Sequence, residues 1–271
     1  MKKKIKSKFT VFGHTGFLGS NIVRYLKERN YSVYLPARNQ TKFPKNLNNV
    51  IYCIGSDNVL ENSINGVNSN LFILSNIIEK NKFQSFTYIS STRVYLNNIK
   101  THENSHIKID VNSKHYFFNS LKVAAENLCL SKDNKNVRVV RISNLFGFNF
   151  KKQIYLLPTL IRNAIKKKKI EILINKKSKK NYLNVEDAIR ITLKIIQKSK
   201  YRIYNIASDK RISLEKIALQ IKRNTNCKIL YKNQRIKFDE PIININRIKK
   251  EYKFKPSSSL EKEISTLLRE Y

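Results

Sequence analysis

Apolar residues along this chain fall into two patterns, short continuous runs and stripes spaced three and four apart, the signatures of buried strands and amphipathic helices. They are tightest at residues 8–26, KFTVFGHTGFLGSNIVRYL, where a short apolar strand passes through glycines spaced three apart into an amphipathic helix. Further strands are expected at 31–35, at 50–54 (VIYCI, followed by Gly55), at 86–90 and at 137–142, with helices at 67–80 and 117–130. Only about fourteen residues separate the strands at 31–35 and 50–54, short for a further strand and helix of ordinary length. The alternation of strand and helix predicts an α/β protein with a doubly wound parallel sheet. Beyond Gly147 the rhythm changes to a helix near 158–168, a strand at 170–174 and a helix at 185–197. The tail carries YNIAS from Tyr204, a helix at 214–223, a strand near 228–231 and a last helix after Pro256. No internal repeat or disordered linker is evident.

The turn at 13–19 carries the first candidate chemistry. Gly13, Gly16 and Gly19 allow a sharp turn, close approach of backbone to a pyrophosphate, and tight packing of helix on strand. The helix start at Phe17 and Leu18 supplies free N–H groups and a positive dipole to the phosphates. With Thr15, these residues predict a dinucleotide site on a Rossmann-type sheet.

Composition adds less than its extremes suggest. The 271 residues suffice for one α/β domain, or a Rossmann unit with a small lobe. A net charge of +35 would ordinarily point to a polyanionic partner. Lysine is spread through the chain beside abundant Asn and Ile, and the densest run, 166–169, reads as the exposed end of a helix. No specific nucleic-acid partner is therefore expected, since no clustered basic face with interleaved aromatics stands out. Cys53, Cys129 and Cys227 form neither a metal-ligand spacing nor a CxxC pair, and no metal is expected. No stretch approaches the roughly twenty apolar residues that span a bilayer, and MKKKIK is followed by a segment broken by glycines. The expectation is a soluble, cytoplasmic protein.

A series of landmarks extends over nearly the whole chain: GHTGFLG at 13–19, VIYCIG ending at Gly55, VNSN from Val67, YISSTRVY from Tyr88 and SLKVAAENL from Ser120. RISNLFG at 141–147, YLNVEDA around Asp187, YNIAS at Tyr204 and KFKP near Pro256 complete it. In order and spacing the chain resembles the extended short-chain dehydrogenase/reductases, in particular the NAD-dependent epimerase/dehydratase group acting on nucleotide sugars. The resemblance implies hydride transfer between a sugar carbon and a nicotinamide. A Tyr serves as acid/base, a Lys four residues later lowers its pKa and binds the ribose, and a Ser or Thr holds the reacting oxygen. An unperturbed phenol near pKa 10 is a poor base at neutral pH, and a neighbouring ammonium favours the phenolate. Spacing of four puts both side chains on one helical face.

On these positions the resemblance implies Lys122 as the Lys and Ser91 as the Ser/Thr, with Ser90 and Thr92 beside it. Four residues before Lys122 stands Phe118, which has the ring but no proton to give. Tyr116 is the nearest substitute, yet six helical steps of about 100° carry it some 240° from the Lys face, so it could serve only if the helix begins after it. His115 has no geometric support. Catalytic candidates are thus Ser91, Lys122 and Tyr116, and the alternative is a non-catalytic protein that binds dinucleotide or sugar nucleotide as a sensor.

At the end of the second strand, where an acidic residue would accept from the NAD ribose, the chain reads LPARN. Ala37 removes repulsion toward a 2′-phosphate and Arg38 offers a guanidinium to it, so NADP is favoured over NAD. Ile54, Gly55, Ser90 and Lys122 complete the expected cofactor site. The nucleotide sugar is expected at Ser91, Thr92, Asn144, Lys180 and Tyr182. Asp187 is read as a capping or turn residue, and Asn68 as holding backbone behind the catalytic strand. The resulting division is a dinucleotide-binding part, 1–147 plus 183–204, and a small C-terminal α/β substrate lobe, 148–182 plus 205–271. The resemblance also implies a possible homodimer through the helices at 67–80 and 117–130.

Overall fold

A computed structural model of the protein describes residues 6–38, 40–55 and 59–271. Its centre is an all-parallel six-stranded sheet, β1 (Lys6–Phe12), β2 (Tyr31–Tyr34), β3 (Asn49–Tyr52), β4 (Ser85–Ser91), β5 (Val137–Ile142) and β9 (Ile203–Ile206), in the order β2-β1-β3-β4-β5-β9. Both faces are covered, so successive strand residues enter opposite layers. Val50 and Tyr52 pack with Leu74, Ile77, Ala125 and Cys129, while Ile51 packs with Phe9, Val11, Ile22 and Leu26.

Helix α1 (Phe17–Glu28) joins β1 to β2. Helix α2 (Ser63–Val67), a π-helical turn at Asn68–Phe72 and α3 (Ile73–Lys80) follow one another between β3 and β4, and α4 (Phe117–Leu130) leads into β5. The helical stretch begins four residues before the predicted 67, because the Asn62 side chain caps it by accepting from the Asn65 N–H at 2.9 Å. The short connection 35–48 has no helix among its described residues. Phe43 and Leu47 fill that layer instead: the Phe43 ring meets Phe12 edge-on at 5.5 Å, and the carbonyl of fully buried Leu47 accepts from Thr10 Oγ1 at 2.6 Å.

The remainder forms a smaller lobe. Strands β6 (Asn144–Phe146), β8 (Lys179–Asn184) and β10 (Arg211–Ser213) make a sheet in the order β10-β8-β6, and β7 (Lys169–Ile172) pairs with β11 (Lys228–Tyr231). Helices α5 (Leu156–Lys167), α7 (Leu214–Thr225) and α9 (Leu260–Arg269) surround them, while α6 (Val185–Gln197) and α8 (Asn246–Tyr252) pack against β5 and β9 of the central sheet. The sequence pattern misses β6, a three-residue strand, and β8, β10 and α8, which are short and mostly polar; α8 buries only Ile248. Asp187, fully buried in α6, accepts from the Ser257 N–H at 2.7 Å and hydroxyl at 2.9 Å, tying the segment after Pro256 to that helix, while Asn184 caps it. Asn68 is exposed on the π-helical turn rather than lying behind the strand. Among the described residues no helix is long and apolar enough to cross a membrane, and no group of His, Cys, Asp or Glu could hold a metal ion.

Candidate active site

The chain leaves β1 for β2 on one side and returns to β3 on the other, which opens a crevice at the C-terminal ends of β1 and β3. Gly13, at φ 75°, turns there; a Cβ on it would lie 2.8 Å from the Cys53 carbonyl carbon and 2.9 Å from the Ile54 nitrogen. A Cβ on Gly19 would lie 2.8 Å from the Gly13 carbonyl carbon and closer still to its oxygen. Gly16 differs. Its φ is an ordinary −72°, and the only atom near a Cβ there is the Gly13 oxygen at 3.4 Å.

Packing therefore demands glycine at 13 and 19 and has room for a side chain at 16. Gly16 and Thr15 are exposed, and no side chain caps α1, so the first-turn N–H groups, which lack intrahelical acceptors, line an open cradle. That cradle fits a pyrophosphate. Phe17 offers only backbone to it, since its ring is buried against Phe150 with centroids 5.4 Å apart, and Leu18 packs between two core clusters. Arg38 lies in an exposed turn just past β2.

On the crevice floor, Lys122 reaches from α4 and is buried, with Nζ donating to the Ile89 carbonyl at 3.4 Å. A side chain starting at Gly55 would meet that ammonium at 3.1 Å, so Gly55 leaves the space Lys122 occupies. The Lys122 ammonium lies 5.1 Å from the Tyr88 ring centroid and 5.8 Å from that of Phe118. Ile54 packs partly into the core beneath α3 and α4. Burial pushes the Cys53 thiol up to about 12 despite the nearby Lys122 charge, so it remains a protonated wall residue.

Asn70, on the π-helical turn, was not anticipated. It is 1% exposed and donates to the Gly66 carbonyl at 2.9 Å; among the described residues its Oδ1 has no hydrogen-bond partner, and it would lie 3.8 Å from a Cβ on Gly55. The VNSN motif drew attention to the wrong asparagine because a π-helical turn shifts which residues face inward.

Ser91 caps a 3-10 turn, its Oγ accepting from the Arg93 N–H at 3.1 Å, and is only half-buried at the end of β4. Thr92 follows it and is buried. Phe118 packs with Val59 and Leu121, and the Arg93 guanidinium lies 5.0 Å from its ring centroid. Tyr116 does sit before α4, in a 3-10 turn, as its use would require. Its hydroxyl nevertheless donates to the Leu96 carbonyl at 3.3 Å and accepts from Asn97 Nδ2 at 2.8 Å. That corrects the expectation of Tyr116 as acid/base: both hydrogen-bonding directions of its phenol are committed to the 96–97 turn.

Ser90 points the other way from Ser91. Its hydroxyl donates to Glu126, which Arg141 binds through Nη2 at 2.6 Å and Nε at 3.0 and 3.1 Å. Arg141 also donates to the Tyr95 hydroxyl at 2.6 Å, and that hydroxyl donates to Asn205 Oδ1 at 3.0 Å. The Ser90 side chain thus belongs to a buried polar network under the crevice and offers no free hydroxyl to a cofactor, which corrects the expectation of a cofactor contact through that side chain.

Two residues expected to meet substrate, Asn144 and Lys180, converge with the unanticipated Asn181 N–H on one carboxylate. Asn144 Nδ2 donates to Glu240 at 2.8 and 3.0 Å, Lys180 Nζ pairs with it at 3.2 Å, and the Asn181 N–H donates to it at 2.8 Å. Burial, then the Glu240 charge, raises the Tyr182 phenol well above its usual value. Farther out, α5 and β7 enclose a groove of about 520 Å³ whose lining includes Ile154, Leu156, Thr159, Asn163, Ile172 and Leu173.

The chain belongs to the NAD dependent epimerase/dehydratase family, whose model matches residues 9–70 and 65–207. Comparison with curated proteins gives no significant match. Among solved structures, RMD from Pseudomonas aeruginosa complexed with NADPH superposes with a TM-score of 0.80 at 20% identity, covering 97% of this chain and 98% of that one. UDP-glucuronic acid 4-epimerase from Bacillus cereus, in complex with UDP-glucuronic acid and NAD, gives 0.78 at 16% identity over 97% and 99%. The dTDP-glucose 4,6-dehydratase of Bacillus anthracis, in complex with NAD, gives 0.75 at 18% over 97% and 96%. At these identities the likeness is one of fold.

Proposed function

We propose that the protein is an NAD(P)-dependent nucleotide-sugar oxidoreductase, an epimerase, dehydratase or ketoreductase, working without the usual tyrosine. The observation that carries this reading is the buried Lys122 ammonium in the space left by Gly55, shortly after β3, which pairs with the strand leading into the glycine turn. The cofactor's pyrophosphate rests on the N–H groups of residues 17–19, Lys122 holds the nicotinamide ribose, and Arg38 favours the 2′-phosphate of NADP. When bound, the nicotinamide exchanges a hydride with a sugar carbon.

Ser91 Oγ, already accepting from the Arg93 N–H, keeps its own proton free to hydrogen-bond the reacting sugar oxygen. Thr92 lies beside it. Phe118 contributes no proton, so the sugar hydroxyl exchanges its proton with solvent, and slow turnover follows. Asn144, Lys180 and Tyr182 receive the nucleotide sugar, with the groove between α5 and β7 at the base end. On this reading the cofactor lies on the dinucleotide-binding part, 1–147 plus 183–204, and the sugar lies between Ser91, Thr92 and Asn144 of that part and Lys180 and Tyr182 of the substrate lobe, 148–182 plus 205–271. A cytoplasmic role in surface-polysaccharide or deoxysugar synthesis follows from this chemistry. Ile64, Val67 and Phe72, exposed on the helical stretch between β3 and β4, support a homodimer through that stretch and α4.

Phe118, sealed among Val59 and Leu121, favours a second reading, a non-catalytic binder of the same ligands. Phe118→Tyr decides between them. Each protein, loaded with NADP+ or with NADPH, is incubated with a panel of UDP- and dTDP-sugars and their keto forms, and the sugar products are followed by NMR and mass spectrometry, because epimerisation and dehydration return the hydride to the sugar and leave no net reduced cofactor. Conversion by the wild type supports the oxidoreductase; conversion only by Phe118→Tyr supports the binder; conversion by neither refutes hydride chemistry here.

A further inference from the structure

The segment from Gln234 to Glu240 has no regular structure, yet it is strapped along residues 174–181 by a series of hydrogen bonds. The Asn175 N–H donates to the Ile236 carbonyl at 2.7 Å, the Phe238 N–H to Ser178 Oγ at 3.0 Å, and the Lys179 N–H to Asp239 Oδ1 at 2.8 Å. The Glu240 N–H then donates to the Lys179 carbonyl at 3.0 Å, and Arg211 holds the Glu240 carbonyl. The strap delivers the Glu240 carboxylate, its side chain 20% exposed, onto Asn144 Nδ2, Lys180 Nζ and the Asn181 N–H.

An amide donor, an ammonium and a backbone N–H converging on one point make an anion site, because each is a donor and together they leave a net positive charge. Asn144 stands two residues past the end of β5, at the C-terminal edge of the sheet where the crevice opens. Lys180 also faces the Phe238 ring at 4.3 Å, so strap and ammonium are packed as a unit.

We propose that Glu240 is an internal competitor for the diphosphate of the substrate, occupying its donor set until a nucleoside diphosphate displaces it. The inference rests on the placement of the nucleotide sugar proposed above. A bound diphosphate brings at least two negative charges to donors that already hold a carboxylate, and both cannot share them without strong repulsion. Binding therefore requires the strap to lift, and this residue lowers affinity and selects for ligands whose anion is stronger than a carboxylate.

The test is calorimetric titration with UDP, in fixed moderate salt, of the full-length wild type, Glu240→Gln and Asn144→Ala. Glu240→Gln keeps size and one acceptor while removing the charge; it is expected to bind UDP about tenfold tighter or more, a gain of ~1.4 kcal/mol, and Asn144→Ala to bind it more weakly than wild type. Equal or weaker binding by Glu240→Gln overturns the competitor role while leaving the substrate-site reading in place. No UDP binding by either protein, with NADPH still bound, overturns both. Independently of any variant, UDP should speed hydrogen exchange at residues 236–242 of the wild type; added protection there overturns the displacement.

Discussion

Gly16 and Gly19 look equivalent in the sequence and should behave oppositely when each is replaced by alanine. At Gly19 the new methyl would stand 2.8 Å from the Gly13 carbonyl carbon and 3.0 Å from the His14 Cα, all of it backbone that cannot rotate away. The helix must move off the strand, an overpacking of the kind that costs about 1–3 kcal/mol. For a chain of this size that lowers Tm by roughly 3–10 °C. At Gly16 the nearest atom stands at 3.4 Å with φ already in an ordinary region, so the cost is the loss of a good N-cap, under about 1 kcal/mol. The methyl at 16 instead projects into the cradle that a pyrophosphate must enter, and NADPH and NADH affinities should fall about tenfold or more. Urea denaturation with calorimetric titration of both cofactors measures the two effects. A Gly16→Ala protein that binds cofactor as tightly as wild type would falsify the cradle, and a Gly19→Ala protein of undiminished stability would show that the strand and helix are not packed as described.

Other outcomes follow from the buried charges and thiols. Glu126→Gln strips the carboxylate from Arg141 while leaving that guanidinium buried, both side chains being at most 5% exposed; the expected loss is about 3–5 kcal/mol, and a urea-derived loss below about 1 kcal/mol would contradict it. The Cys53 thiol, pushed up to about 12 by burial, stays protonated at pH 8 in the folded protein. It should react with iodoacetamide more slowly than a free thiol until the chain unfolds, and mass spectrometry showing modification at the free-thiol rate in native buffer would refute that raised pKa.

Much of this protein was settled locally. The helices at 117–130 and 185–197 coincide with their predicted bounds, since apolar periodicity and end signals lie within the segments themselves. The turn at 13–19 and, among the described residues, the lack of a helix between β2 and β3 were legible for the same reason, one from glycine spacing and the other from chain length. Phe118 in place of tyrosine, too, needed only the sequence.

What the tertiary structure alone decided are directions and partners. Ser90 and Ser91 are neighbours on a strand, so their side chains fall on opposite faces, and only the packed structure shows that Ser90 meets Glu126 while Ser91 caps a turn. Tyr116 finds its partners at Leu96 and Asn97 because the 96–97 turn folds back over the start of α4. Asn70 faces inward through a π-helical turn that no regular period predicts. Asn144 and Glu240 are separated by 96 residues, and no local pattern links an asparagine after one strand to a glutamate on a strap of irregular chain. Periodicity reports which face of an element is buried; which charged group arrives at that face depends on how distant segments are brought together.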